Sequence, residues 1–253
     1  MAAGKVRVTS VVVAGALALA ACGGGGSGED GETAGRDRPD REAPETTTTQ
    51  VAEATTTQVA EATGPRVEVF AEPAEGEPTA TLDNPNENGA PLVFLVEQNQ
   101  GEWLQVLLPI RPNGSTGWIR TADVTVASNT YSVDIALAAH RMVVRDGDEV
   151  VIDAAIGVGT ASTPTPGGKY YIKELLEPPD PDGVYGPYAY GLSGFSNVLE
   201  DFNGGDGVIG IHGTNEPELI GTDVSHGCIR TDNETITRLA EMLPLGTPVH
   251  ISA

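Results

Sequence analysis

The apolar residues of this chain lie in short, β-branched runs, and this pattern limits most strongly the folds that it can adopt. Runs such as Pro91–Val96 and Val208–Ile211 are flanked by residues that favour turns. Within 141–152, Asp146-Gly147 is a two-residue turn signal between two such runs, and it predicts a β-hairpin. The sequence therefore predicts a mainly β fold.

One convincing helix accompanies these strands. Apolar residues recur at i, i+3, i+4 and i+7 between Ile236 and Leu243, and Pro244 ends the run. The preceding residues, Thr231–Glu234, have the pattern of a capping box, in which a threonine caps the helix and a glutamate bonds back to its backbone. We therefore expect a single helix near the C-terminus.

Residues 1–22 have the pattern of a secretory signal. Lys5 and Arg7 precede an apolar run, Val11–Ala21, that is short for a membrane span. The run ends in Leu-Ala-Ala-Cys, which resembles the lipobox of bacterial lipoproteins and implies that the thiol of Cys22 is acylated. Acylation would anchor the protein to the outer face of the cell membrane. The alternative is an ordinary signal that carries a cysteine by chance.

Residues 23–64 are rich in Gly, Thr, Glu and Pro, and they contain a perfect octapeptide repeat, TTTQVAEA, at 47–54 and 55–62. Such a segment has too few large apolar side chains to offset the entropy that is lost on ordering. We therefore expect a disordered tether, which would span roughly 35 Å as a flexible coil.

The chain is strongly acidic, with 14 basic and 36 acidic side chains and a formal net charge of −22. Nucleic acids and anionic lipid surfaces bind basic patches, so this charge argues against nucleic acid as a partner. Beyond the tether, about 190 residues remain, enough for one or two domains.

Residues 65–127 are expected to form a first β domain. The strand around Trp103, followed by a turn and by Gly117-Trp118-Ile119, resembles the end of a bacterial SH3-like domain. The resemblance implies a small β-barrel, for which we expect a spacer or packing role, with cell-wall binding as the alternative. We expect both tryptophans in its core.

The second domain, 128–253, contains a histidine and a cysteine whose arrangement suits nucleophilic catalysis. A cysteine attacks a carbonyl group as thiolate, so Cys228 needs a base and positive surroundings. His212, at the end of a buried strand, is placed to be that base, although His226 also lies within reach. Gly227 lets the amides of 226–228 turn toward a developing oxyanion. If Cys22 carries lipid, Cys228 has no disulfide partner.

These residues resemble the signature of the L,D-transpeptidase (YkuD) family: an IHGT strand, a loop and SHGCIR, preceded by a TPTPGG loop at 163–168. The resemblance covers residues 130–252 and implies a β-sandwich with Cys228 as nucleophile and His212 as base. It further implies peptidoglycan stem peptides as partners, release of D-alanine, a thioester intermediate and 3-3 cross-links. It implies neither a metal nor an organic cofactor.

The family resemblance also implies how the catalytic loop is held. A backbone carbonyl at Gly213 would fix the tautomer of the first histidine. Ser225 and His226 would then shape the loop that carries the nucleophile.

Substrate contacts are less determined by the sequence. Arg230 would bind a substrate carboxylate, since guanidinium matches that geometry, or pair with Asp232 or Asp223 on the surface. The tyrosines of the segment GVYGPYAYG would line the donor cleft or pack on loop prolines; they are Tyr185, Tyr188 and Tyr190.

Two rival functions fit the same residues. Water could resolve the thioester in place of an amine, which would give an L,D-carboxypeptidase. A cell-wall-binding lipoprotein without catalysis would leave the set of His212, Gly227 and Cys228 unexplained.

The lipid anchor is testable by metabolic labelling with a fatty acid. We expect the full chain to incorporate label and the Cys22→Ala variant to lose it, because the thiol is the attachment point. Label that persists in the variant would contradict acylation at this residue.

Overall fold

The structure is a computed structural model that describes residues 56–200 and 206–253. The predicted signal, Cys22 and most of the expected tether lie outside these residues. In the part that is described, no helix is both long and apolar enough to cross a membrane.

An N-terminal module, residues 57–129, contains a five-stranded antiparallel sheet in the order β6-β5-β4-β1-β7 and a separate hairpin of β2 and β3. Its strands are β1 (Thr57–Ala62), β2 (Arg66–Val69), β3 (Ala80–Asp83), β4 (Val93–Asn99), β5 (Trp103–Leu107), β6 (Thr116–Arg120) and β7 (Val124–Asn129).

Strand β1 corrects the predicted extent of the tether. The prediction of disorder to residue 64 is wrong for Thr57–Ala62, which lie between β4 and β7 and pair with both. Val59 and Ala60 are buried, so even this weakly apolar segment gains core contacts. Pairing on both sides also satisfies the backbone groups that a free segment would leave to water.

The alternation along β5 separates two apolar surfaces. Leu104 and Val106 face the core of the module, whereas Leu107 points to a cluster that includes residues of the second domain. Trp118 is buried, and Trp103 packs edge-on against Phe70. Both tryptophans thus contribute to packing.

The second domain is built on an eight-stranded sheet in the order β10-β9-β8-β17-β12-β13-β14-β16, with a small parallel pair of β11 and β15. Its strands are β8 (Tyr131–Ala136), β9 (Arg141–Asp146), β10 (Glu149–Ala155), β11 (Val158–Gly159), β12 (Gly168–Leu176), β13 (Ala189–Phe195), β14 (Val208–His212), β15 (Asp223–Ser225), β16 (Ile229–Arg230) and β17 (Pro248–Ser252). The predicted hairpin at 141–152 is confirmed as β9 and β10.

Helix α1 (Asn233–Met242) is the one α-helix of the described residues, and it confirms the predicted fold class of strands with a single helix. Ile236 and Leu239 are its buried residues. The predicted capping box is wrong in its first residue, because Asp232 caps the helix by accepting a hydrogen bond from the N–H of Thr235 at 2.8 Å. Thr231 instead donates its N–H to the His212 carbonyl at 2.9 Å and so still belongs to the sheet edge.

Gly246 marks a close approach between the two domains. Its φ is +85°, and a Cβ there would overlap the side chain of Val59 in β1. Gly221 has a similar φ of +90° but faces open space. Alanine at Gly221 would therefore meet backbone strain alone, whereas alanine at Gly246 would meet both strain and a clash.

We expect Gly246→Ala to destabilise the protein by about 2–4 kcal/mol, from the strained φ together with overpacking. The matched Gly221→Ala should cost only the strain, about 1–2 kcal/mol. Urea unfolding of both variants measures the difference, and equal losses would contradict tight packing at Val59.

Candidate active site

Two neighbouring strands bring His212 and Cys228 to one pocket. β14 pairs with β16 in parallel, with Ile211 opposite Ile229 and His212 opposite Arg230. Cys228 comes directly before β16 and therefore lies beside the backbone of Gly210. Both side chains line a cavity of about 740 Å³.

The His212 ring is held in one tautomer. The ring is buried, and its Nδ1 lies 2.6 Å from the carbonyl oxygen of Gly213. A carbonyl oxygen can only accept, so Nδ1 carries the proton and Nε2 is the basic nitrogen of the neutral ring. The ring of Tyr185 contacts it edge-on, with 4.9 Å between centroids. The Gly213 contact is the one that the family resemblance implied.

Burial makes His212 a weak base in the resting protein. Desolvation lowers its pKa to about 4, and the charge of Arg230 acts in the same direction, whereas the hydrogen bond to Gly213 opposes the shift. The imidazole is therefore neutral at pH 7 and able to accept a proton.

Cys228 is half-buried, and burial raises the pKa of its thiol. A hydrogen bond from the backbone of Gly210 and the charge of Arg230 act against this shift. Since the thiol is a weaker acid and the imidazole a weaker base than usual, the resting pair is neutral. Any nucleophilic attack by this thiol would therefore require transfer of its proton as the new bond forms.

The turn before the nucleophile is closed by Ser225. Its hydroxyl donates to the carbonyl of Cys228 at 2.5 Å and accepts from the N–H of Gly227 at 3.0 Å. Gly227 has φ +123°, a conformation that other residues rarely adopt. The N–H of Gly227 is thus already engaged, so it is not a free donor for the oxyanion as the sequence suggested. His226 is exposed on this turn and does not line the cavity.

The ion pair of Arg230 differs from the two that the sequence suggested. Its guanidinium lies 3.0 Å from the carboxylate of Glu216, and neither of the predicted surface partners is used. Asp223 contacts His140 at 2.8 Å, and Asp232 caps α1. The buried Nε of Arg230 has no hydrogen-bond partner among the described residues.

The three candidate tyrosines have different positions. Tyr185 lines the cavity beside His212. Tyr190 borders the cavity, but its side chain is only 1% exposed and its hydroxyl donates to the Leu239 carbonyl at 2.8 Å, so most of the ring belongs to the core and its contact with a substrate stays a prediction. Tyr188 is half-buried against the core, and its carbonyl accepts from the N–H of Gly213 at 3.3 Å.

Sequence reasoning missed Glu174, a carboxylate that lines the same cavity and is only 2% exposed. In KYYIKELL it has the pattern of an ordinary strand residue, and nothing local marks it. In the described ranges, no group of three or more His, Cys, Asp or Glu residues is arranged to hold a metal ion.

Comparison with known proteins gives the family of the second domain. Residues 130–251 match the family model of the YkuD L,D-transpeptidase catalytic domain. The YkuD proteins of Bacillus licheniformis and Bacillus subtilis are each 34% identical over 122 residues, which cover 48% of this chain and 66% of each relative. This chain therefore spans just under two thirds of the length of those relatives.

Solved structures are also similar to this chain. A cysteine-to-serine variant of the Enterococcus faecium L,D-transpeptidase is 23% identical, with a TM-score of 0.39, and the match covers 48% of this chain and 49% of that one. For an L,D-transpeptidase from Mycobacterium smegmatis, the identity is 16% and the TM-score 0.41, over 74% and 99% of the two chains.

The buried imidazole predicts a pH dependence of stability. The pKa of His212 is lower in the folded protein than the usual 6.5, so the unfolded chain takes up the proton first as the pH falls. The contribution of His212 to the free energy of unfolding is therefore fully present above about pH 6.5 and is lost as the pH falls toward 4. Between pH 7.5 and 5.0 this loss amounts to about 2 kcal/mol. Urea unfolding of wild type and His212→Gln at both values should show this excess loss in the wild type alone. Equal losses would contradict a buried neutral ring.

Proposed function

Because residues 130–251 form a YkuD-family L,D-transpeptidase catalytic domain, we propose that the protein is a cysteine-dependent L,D-transpeptidase that cross-links peptidoglycan stem peptides. One observation carries this proposal: the thiol of Cys228 and the tautomer-locked ring of His212 line the same cavity.

In the first half-reaction, Sγ of Cys228 attacks the carbonyl carbon of the bond between the third stem residue and D-alanine. Nε2 of His212 accepts the thiol proton as the carbon–sulfur bond forms. The carbon–nitrogen bond then breaks, and the imidazolium gives its proton to the nitrogen of D-alanine. A thioester on Cys228 and free D-alanine result.

In the second half-reaction, the side-chain amine of a neighbouring stem attacks the thioester. His212 accepts a proton from this amine, and the carbon–sulfur bond breaks. The proton returns to the sulfur, which restores the thiol and leaves a 3-3 cross-link. Water in place of the amine would yield the tripeptide, the product of an L,D-carboxypeptidase.

The shifted pKa values of the pair support this order of events. A thiolate would be costly in the buried resting site, so the thiol stays protonated until a carbonyl carbon is within reach. The positive charge of Arg230 lies near both groups and favours the anionic sulfur over the imidazolium. It is therefore suited to stabilise negative charge as it develops during attack.

We propose that catalysis takes place outside the cytoplasm. The predicted signal and the lipobox-like Leu19–Cys22 support export and anchoring by lipid to the outer face of the membrane. A stem peptide of the cell wall would then be the substrate within reach of the anchored chain.

Product analysis by mass spectrometry tests the reaction. With a disaccharide-tetrapeptide, the wild type should release D-alanine and form cross-linked dimer, whereas Cys228→Ala should form neither. Tripeptide without dimer would favour the carboxypeptidase, and no turnover by the wild type would refute an enzymatic role.

The two histidines provide a matched pair for the base. His212→Ala should lower the rate of acylation by at least about 100-fold, because general-base catalysis is lost. His226→Ala, which changes an exposed ring outside the cavity, should have a much smaller effect. The reverse order would contradict the assignment of the base.

A further inference from the structure

The N-terminal module is docked on the catalytic domain through an apolar contact of its own. A separate buried cluster joins strands β1, β4 and β5 of the module to β12 and to the turn before β17 of the catalytic domain. Its members are Val59, Val93, Leu95, Leu107 and Tyr171, with Leu245 packed against them. The module is therefore fixed to the catalytic domain and does not act as a loose spacer.

A loop of the module, residues 108–115, also holds the segment that leads into β14. The guanidinium of Arg111 donates to the carbonyls of Ser196, Leu199 and Asp206 at 2.8, 3.0 and 2.9 Å. The side-chain nitrogen of Asn113 donates to the Phe195 carbonyl at 2.7 Å, and its side-chain oxygen accepts from the Phe195 N–H at 2.9 Å. These contacts fix the backbone that precedes β14, the strand that ends at His212.

A second loop of the module reaches the cavity itself. The side-chain amides of Asn86 and Asn88 each donate to the same carboxylate oxygen of Glu174 at 2.9 Å. The side-chain oxygen of Asn86 also accepts from the backbone N–H groups of Asn88 and Ala90, which closes the turn. Glu87 and Asn88 line the cavity together with Cys228.

Two glycines of the cavity lining, Gly191 and Gly210, lie between Glu174 and Cys228 across the sheet. Strand pairing places Glu174 opposite Gly191 and Gly191 opposite Gly210, and Gly210 lies beside Cys228. A Cβ on Gly191 would collide with the Glu174 side chain, and one on Gly210 with the Tyr190 carbonyl. The row crosses three strand spacings, about 14 Å, which is the length of about four extended residues.

We propose that the N-terminal module completes the substrate groove, with the turn of residues 86–90 as its far wall and Asn86 and Asn88 as positioning residues that act through Glu174. This inference rests on the proposed function, because it takes a stem peptide as the ligand. A stem whose scissile carbonyl lies at Cys228 has three residues on the donor side. A groove of about 14 Å therefore extends beyond them, to the end of the stem that bears the sugars.

The hydrogen bonds from Asn86 and Asn88 to Glu174 hold the turn of residues 86–90 against the catalytic domain. Glu174 is buried, and its other oxygen lies 3.4 Å from Lys173, so the two asparagines supply its short hydrogen bonds. Without them, a nearly buried carboxylate loses two hydrogen bonds, which is costly. The turn would then be released, and its contacts with a long ligand would be lost, while the thiol at the other end of the groove would be unaffected.

Affinity measured without turnover tests this proposal. In the full chain carrying Cys228→Ala, we expect the pair Asn86→Ala and Asn88→Ala to weaken binding of a disaccharide-tetrapeptide about tenfold, because an ordered wall is lost. The matched control is Asn99→Ala, which alters an exposed asparagine at the end of β4 in the same module and should leave affinity unchanged. If the pair does not fold, Asn88→Ala alone should weaken binding about threefold.

A second measurement separates positioning from general damage. In the full chain carrying Cys22→Ala, the rate of alkylation of Cys228 by iodoacetamide should change less than about twofold on the same substitutions, because this reagent occupies only the thiol end of the groove. Unchanged affinity, or an equal loss in affinity and alkylation, would overturn the proposal. So would a lack of binding to the Cys228→Ala protein. A wild type that binds but does not turn over would refute the proposed function alone.

Discussion

The parallel pairing of β14 with β16 is the interaction on which the site depends. β16 has only two residues, and it is held on both sides: Ile229 pairs with Ile211, while Arg230 exchanges two backbone hydrogen bonds with Gly157, both 2.8 Å long. A shift of this register would move Cys228 away from Gly210 and from the cavity. Short strands rarely hold a position alone, so the second partner makes the register secure.

Burial then determines the chemistry that this geometry permits. The same low-polarity surroundings weaken both His212 as a base and Cys228 as an acid, which keeps the resting pair uncharged. Because the thiolate is the reactive form of cysteine, an uncharged pair keeps Cys228 weakly reactive at rest. Arg230 supplies positive charge near both groups, and its ion pair with Glu216 compensates part of that charge.

The N-terminal module gives the pocket a boundary that the catalytic domain lacks. Polar contacts from its two loops end on backbone carbonyls and on one buried carboxylate, and the apolar cluster around Tyr171 lies between the two domains. Backbone carbonyls and a buried carboxylate lose water when the two domains pack together. Leaving them without hydrogen bonds would cost free energy, so the loops must be placed accurately. The relative position of the two domains is therefore well specified within the described residues.

The sequence by itself determined the strands, the helix and the pair of His212 and Cys228, because alternation, periodicity and a dense local motif are properties of neighbouring residues. Tertiary structure alone decided that Thr57–Ala62 is a strand, since its stability comes from β4 and β7, far along the chain. It likewise decided that Asp232 rather than Thr231 caps α1, that Arg230 pairs with Glu216, and that Asn86 and Asn88 meet Glu174. Each of these contacts depends on which residues the packing of the folded chain brings together. A local sequence pattern describes neighbouring residues only and therefore does not specify such contacts.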